Sequence, residues 1–211
     1  KAKSLCDVKT DNTRIIYSLS RMSEIQQNQG DYSGSETTAI EAMPFLNTTM
    51  DPSYESSLYN LLGVVYMKLF DYDNALFYYK KALHLKIDAI RKLKIEHNIA
   101  VVYMAKHDYD RAIQILLPLT LRKEIQNDPA TYSKALDNLG FSYFKVRNTK
   151  GIEYLNQALK IKTNINDDWG MAASYLHLTQ YYKQTNPGLA NDYARMAYEK
   201  ATKVNNVDDL F

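Results

Sequence analysis

Residues 56–86 read SSLYNLLGVVYMKLFDYDNALFYYKKALHLK, two amphipathic helical patterns on either side of the short polar turn Asp71-Tyr72-Asp73-Asn74. In the first, Tyr59, Leu62, Gly63 and Tyr66 recur at helical spacing; in the second, Ala75, Leu76, Tyr79, Ala82 and Leu83 do. Small residues at Gly63, Ala75 and Ala82 face large ones at Leu62, Tyr66 and Tyr79. Two antiparallel helices that cross closely need this alternation, because a knob on one must enter a gap on the other.

The order Tyr59, Leu62-Gly63, Tyr66, Ala75, Tyr79, Ala82 resembles the tetratricopeptide repeat. The resemblance implies a right-handed superhelical solenoid of antiparallel helix pairs, an all-α fold. Ile87 stands where that repeat usually closes on proline, so the second helix is expected to run on past His84.

Outward from this stretch the pattern repeats. Gly30-Asp31-Tyr32 and His107-Asp108-Tyr109 match the turn Phe70-Asp71-Tyr72. Upstream, Ile15, Ile16, Leu19, Met22 and Ile25 form a helical stripe, followed by a helix carrying Ala39, Ala42, Met43 and Leu46. No Leu-Gly-Tyr set precedes that helix, so the first repeat reads as a degenerate capping unit. Downstream come Ile99-Ala100, Tyr103, Ala112 and Leu116, then Leu139-Gly140, Tyr143, Gly151, Leu155 and Ala158. Leu178, Tyr181, Ala190, Ala194 and Ala197 complete the series. Asp51-Pro52, Asp128-Pro129 and Asn186-Pro187 each mark a helix start, a side-chain acceptor followed by proline in the first turn. From Gly63 to Ala100 is 37 residues and from Ala100 to Gly140 is 40, against about 34 in the standard repeat. Links such as Gln126-Asn127-Asp128-Pro129 must absorb the difference. The resulting expectation is about five helix pairs, at 12–48, 52–87, 89–125, 129–164 and 168–205, in a single solenoid over 12–205. Residues 1–11 are expected to be a flexible lead-in, and 206–211 to open a further, truncated helix. A generic helical bundle is the competing architecture.

Composition excludes several classes. Hydrophobic residues make up 45% and charged residues 24%, enough apolar material for a core. A net charge of only +2 gives no global field toward nucleic acid or an anionic membrane. The longest apolar run, Leu61–Met67, is far short of the roughly 20 residues of a membrane span. Cys6 is the single cysteine, which excludes an internal disulfide framework. The chain opens Lys-Ala-Lys without methionine and closes on Val207-Asp208-Asp209-Leu210-Phe211, and it reads as a piece of a longer protein.

Catalytic signatures are missing from the sequence. His84, His97, His107 and His177 show no HExxH or paired spacing, and no Gly-rich phosphate loop or GxSxG elbow occurs. No catalytic residue, metal ligand or cofactor is assigned. Asn47-Thr48-Thr49 matches a glycosylation acceptor, a triplet common by chance. Cys6 reads as inert, His177 as core and Trp169 as a packing anchor.

The remaining candidate is a surface. The tetratricopeptide resemblance implies that the first helix of each pair lines a concave groove. On the face away from Leu62-Gly63-Tyr66 lie Ser57, Asn60, Val64 and Met67; the next repeats supply Lys94, His97, Val101, Met104 and then Lys134, Asp137, Phe141, Phe144. Ala172, Tyr175, Thr179 and Tyr182 follow at the same helical spacing. Stacked, these sets form an apolar stripe of Met67, Met104, Phe144 and Tyr182 beside polar positions, which suits a protein or peptide partner. The resemblance implies that Asn98 and Asn138, two residues before their small residue, hold a peptide backbone; Asn60 is off by one. Lys68, Lys145 and Lys183 follow the stripe and suit carboxylates. Val64 replaces the asparagine of the two-carboxylate clamp found in chaperone-binding relatives. Packing by tight curvature, or by a homodimer, would account for the same stripe, and the asparagines could instead brace neighbouring helices.

The runs SKALDNLGFSYFK, EYLNQALKIK, ASYLHLTQYYK and YARMAYEKATKVNN are similar in style to repeat regions of Bacteroidetes signalling proteins, which carry histidine kinase or LuxR-type outputs. That similarity implies a non-catalytic sensor or scaffold, periplasmic or otherwise extracytoplasmic, with a cytoplasmic location as the alternative. Two other readings stand beside it: the peptide-pheromone-binding domain of a cytoplasmic quorum-sensing regulator, and a purely structural oligomerisation module.

Overall fold

The computed structural model describes residues 8–47 and 50–208, with side chains over 12–47 and 50–203. Among these residues all regular structure is helical. The elements are α1 (Val8–Asn28), α2 (Tyr32–Ala42), a 3-10 turn (Met43–Phe45), α3 (Pro52–Lys68), α4 (Tyr72–His84), α5 (Ala89–Ala105) and α6 (Tyr109–Thr120). A single turn, α7 (Lys123–Gln126), precedes α8 (Pro129–Lys145), α9 (Gly151–Asn164), α10 (Asp168–Tyr182) and α11 (Pro187–Asp208). The sequence suggested one continuous unit over 12–205. The chain instead divides between Val102 and Tyr103 into two compact units, with α5 running through the division.

Five inter-helix turns share one construction. Gly30, Phe70, His107, Arg147 and Asn166 all have φ between 55° and 81°. In each, the following residue's N–H bonds back five positions: Asp71 to Tyr66, Asp108 to Tyr103, Asn148 to Tyr143, Asp167 to Lys162, Asp31 to Gln26. This is the Schellman closure, which satisfies the orphan carbonyls of the ending helix. In four of the five, the aspartate that follows then caps the next helix, as Asp71 accepting from Asn74 N–H and Asp167 from Gly170 N–H. Exit and re-entry thus occur within about three residues, which forces the two helices antiparallel.

In the first unit, Ala39, Ala42, Leu58, Leu61 and Leu62 form a buried cluster with Leu19, Tyr59, Tyr66 and Tyr78 packed against it. Gly63 exists for Tyr79: a Cβ on Gly63 would lie 2.5 Å from the Tyr79 ring. Tyr66 stacks on Tyr78 at 5.3 Å and donates its hydroxyl to Glu36 at 2.6 Å. The degenerate first repeat has its own small pair. Ser23 and Ser35 each donate to the other's backbone carbonyl at 2.8 Å, and they are separated as Gly63 and Ala75 are. That crossing fixes the face of α1: Ile16 and Ser23 are buried, while Met22 and Ile25, read from sequence as part of the stripe, are 52% and 55% exposed.

In the second unit, Gly140 and Gly151 meet where α8 and α9 cross. A Cβ on Gly140 would sit 2.7 Å from the Gly151 carbonyl oxygen, and one on Gly151 2.6 Å from that of Gly140. Tyr143 stacks on Tyr154 across the same pair. Asp168 ties α10 to α11 by accepting from both Lys200 and Lys203. Those two ammonium groups hold its carboxyl below the ordinary range.

Helix starts at Pro52, Pro129 and Pro187 follow Asp51, Asp128 and Asn186, whose side chains accept from Ser53, Thr131 and Leu189 N–H. Other boundaries differ from the sequence reading. α4 stops at His84 because Leu85 is extended (φ −81°, ψ 155°), and Asp88 then accepts from Arg91 N–H at the start of α5. α1 begins at Val8, inside the expected lead-in, and α11 runs unbroken to Asp208. The long spacing from Ala100 to Gly140 is taken up by α7. Cys6, Thr48 and Thr49 of the sequon, and residues 209–211 lie outside the described residues.

Candidate partner-binding face

In the first unit, α3 and α5 carry Asn60, Val64, Met67, Lys68, His97, Asn98 and Val101. Val64, Met67 and Val101 are half-buried and Lys68 is exposed. His97 is buried, which removes it from the surface set. Asn98 donates its amide N–H to Asn60 Oδ1 at 3.0 Å. That bond braces α3 against α5 and uses one group of each amide that the sequence reading reserved for a peptide. Asn60 and Val64, with Glu24, Gln27, Arg91 and Lys94, line a cavity of about 420 Å³.

In the second unit, Met104, Asn138, Phe141, Phe144, Tyr175, Thr179 and Tyr182 are half-buried and Lys145 is exposed. The aromatic members form a continuous ladder. Phe141 packs edge-on to Tyr109 of α6, stacks on His177 of α10 at 4.2 Å and touches Phe144. Phe144 packs on Tyr181, Tyr181 on Tyr182, and Tyr182 on Tyr193 of α11, which also stacks on Tyr175. The Lys145 ammonium lies 5.4 Å from the Phe141 ring centre and 5.8 Å from that of Tyr109. Thr179 spends its hydroxyl on the Tyr175 carbonyl of its own helix.

Two residues read as core or anchor behave otherwise. His177 belongs to the aromatic ladder, and Trp169 is 64% exposed, more open than a buried packing anchor would be.

Beneath the ladder lies a polar cluster that the sequence reading missed. Asp137, expected on the surface, is buried, and so are Lys162 of α9 and Ser174 of α10. Lys162 Nζ stands 3.1 Å from Asp137 Oδ2 and donates to Ser174 Oγ at 2.8 Å; Ser174 donates in turn to Asp137 Oδ1. His177 Nδ1 completes the set, 3.0 Å from Asp137 Oδ2. Burial alone would raise the Asp137 pKa; the hydrogen bond and charge of His177, the charge of Lys162 and the Ser174 hydroxyl overcome it, and the carboxyl titrates below its ordinary value. The signal was available: Lys162 follows Leu155 and Ala158 by seven and four residues, a charge on an apolar stripe. Ser, His and Asp are all present, yet the arrangement is not a nucleophilic triad. The imidazole faces Asp137 rather than Ser174, and the hydroxyl is fully buried.

At one end of the ladder is a larger cavity, about 930 Å³, between the C-terminal ends of α8 and α10. Phe144, Tyr181 and Tyr182 form its apolar wall, and Lys145, Arg147 and Lys183 its cations; none of its lining residues is acidic. Among the described residues, no group of three or more His, Cys, Asp or Glu side chains is placed to hold a metal ion. No described helix is long and apolar enough to cross a membrane.

The tetratricopeptide repeat family model matches residues 56–86, the stretch containing the Gly63–Tyr79 contact. No curated protein matches the chain in sequence. Solved structures match it in fold over nearly its whole length. The apo form of RapI superposes with a TM-score of 0.74 at 17% identity, covering 90% of this chain and 72% of that one. BtubC (BKLC) from P. vanneervenii gives 0.68 at 17%, covering 93% and 91%. TPR-like repeats of a putative kinesin light chain from Podosopora anserina give 0.60 at 16%, covering 93% and 95%. The chain therefore carries a tetratricopeptide repeat match at residues 56–86 within an all-α, TPR-like helical-repeat fold.

Proposed function

We propose that the chain is a non-catalytic protein- or peptide-binding scaffold that takes up a partner segment along the first-helix face. The observation that carries this reading is the aromatic ladder from Phe141 to Tyr182, half-buried on a face whose core is already closed beneath it. Half-exposed aromatic rings held rigidly by their neighbours offer a partner large contact area with little side-chain entropy left to lose. The tetratricopeptide match and the fold of the similar structures support the scaffold reading. The finer role is the sensor portion of a bacterial signalling or transcriptional regulator, extracytoplasmic in the first instance; it rests on the similarity in sequence style alone.

The test is a peptide-library pull-down with the native chain and a Phe144→Glu, Tyr182→Glu variant, helix content and solution mass being measured for both. Enrichment of a peptide class by the native chain, lost in a folded variant, supports the scaffold. If neither chain enriches a peptide and the variant falls from dimer to monomer, the face is an oligomer contact and the module is structural.

A further inference from the structure

We infer that the 930 Å³ cavity between the ends of α8 and α10 is the anchor point of that face, and that its occupant is an acidic peptide segment bearing a large apolar side chain. The inference rests on the scaffold reading and adds the chemistry of the ligand. Three cations, Lys145, Arg147 and Lys183, line the cavity with no carboxylate among its lining residues. The whole chain carries only +2, with 24 acidic residues available to balance 26 basic ones. A cavity from which acids are excluded is thus a local departure from a nearly neutral surface, and it suits carboxylates. Phe144, Tyr181 and Tyr182 in the same lining offer an apolar surface for the large side chain. Gln180 and Gln184 add neutral amides, which hydrogen-bond a peptide backbone as donor and acceptor together.

A single-stranded nucleic acid would also match cations beside aromatics, yet the geometry disfavours it. Successive bases stack on open, parallel ring platforms; here Tyr182 already gives one face to Tyr193 at 5.9 Å, and Phe144 and Tyr181 are tilted by 52° against each other at 5.3 Å. Nor does the near-neutral chain supply the basic track a phosphate backbone follows.

Position matters as well. Lys145 and Arg147 stand at the C-terminal end of α8 and Lys183 caps α10. Their charges offset the negative helix ends that would otherwise repel a carboxylate. The Lys145 ammonium itself lies over Phe141 and Tyr109, so it is partly fixed before any ligand arrives.

The test uses fluorescence anisotropy of three labelled peptides with the same Leu-Phe centre, flanked by glutamate, glutamine or lysine, together with a labelled oligothymidine. Each is titrated into the full chain and into an Arg147→Glu, Lys183→Glu variant. Both substituted positions are exposed, so the fold is expected to survive, and circular dichroism checks it. The expected result is binding of the glutamate peptide at least tenfold tighter than the glutamine peptide. That binding should weaken tenfold or more in the variant and with rising salt. Equal affinity for the glutamate and glutamine peptides, no binding of the glutamate peptide, unchanged binding in the variant, or tighter binding of the oligothymidine each overturns the inference. The scaffold reading fails separately, through the library pull-down, since a neutral peptide captured on Phe144 and Tyr182 would sustain it while this anchor fell.

Discussion

Gly63 and Tyr79 claim the same space, and the contest sets the distance between α3 and α4. Alanine has the better helix propensity, by about 1 kcal/mol. Its methyl would nevertheless meet a fully buried ring at 2.5 Å, and overpacking of this kind costs about 1–3 kcal/mol. Gly63→Ala is therefore expected to lower stability, read as an earlier urea midpoint; an unchanged or later midpoint would show that the ring has room to shift. The Asp137 cluster behaves differently because its members are charged. Lys162→Met leaves the carboxylate buried without its ammonium, a loss of about 3–5 kcal/mol. The Asp137→Asn, Lys162→Met double variant is expected to recover part of it in the same denaturation series. The pH sign follows from the lowered Asp137 pKa. Its stabilisation is complete above the unfolded-state value near 3.8 and is lost as pH falls below it. Stability of the wild type is expected to fall more steeply below about pH 4 than that of Asp137→Asn; parallel pH curves would remove Asp137 from the acid transition.

At the scale of elements, the repeated left-handed turn is the device that makes helix pairs. Gly30 occupies it once; Phe70, His107, Arg147 and Asn166 occupy it with side chains, at a conformational cost of about 1–2 kcal/mol each. Phe70 is 78% exposed and so returns little burial. Phe70→Gly is expected to stabilise by up to about 1 kcal/mol, the released strain being partly offset by glycine's larger unfolded-state freedom. Phe70 packs edge-on to Tyr72 at 6.5 Å, and a fall in the thermal midpoint would mean that this contact matters more than the strain. The matching turn signals were legible as Gly30-Asp31, Phe70-Asp71 and His107-Asp108. Arg147-Asn148 was not, because asparagine there accepts from Lys150 N–H and leaves α9 to start at Gly151 without a side-chain cap.

For the molecule as a whole, the features that suit a ligand differ between the two units. The second holds the aromatic ladder and the acid-free cavity; in the first, Asn98 and Asn60 spend one amide group each on bracing α3 against α5. Hydrogen exchange with the glutamate-flanked peptide is expected to slow amides near Lys145–Arg147 and Tyr181–Thr185, with those of α1–α4 unchanged. Slowing confined to α3 and α5 would move the binding face to the first unit.

The fold class, the helix starts at Pro52, Pro129 and Pro187 and the crossings at Gly63 and Gly140 were written in the sequence, because periodicity, caps and small residues act locally. The site was legible only as a face. Phe141, Phe144 and Lys145 could be placed on one side of α8 from spacing alone. Whether His97 and Asp137 reached the surface depended on how neighbouring helices rolled against them, and both are buried. His177, assigned to the core, instead stacks on Phe141. Burial is a property of what packs on a residue from elsewhere in the chain. That depends on distances between helices, which contacts such as Gly140 with Gly151 and Lys162 with Asp137 decide only in three dimensions.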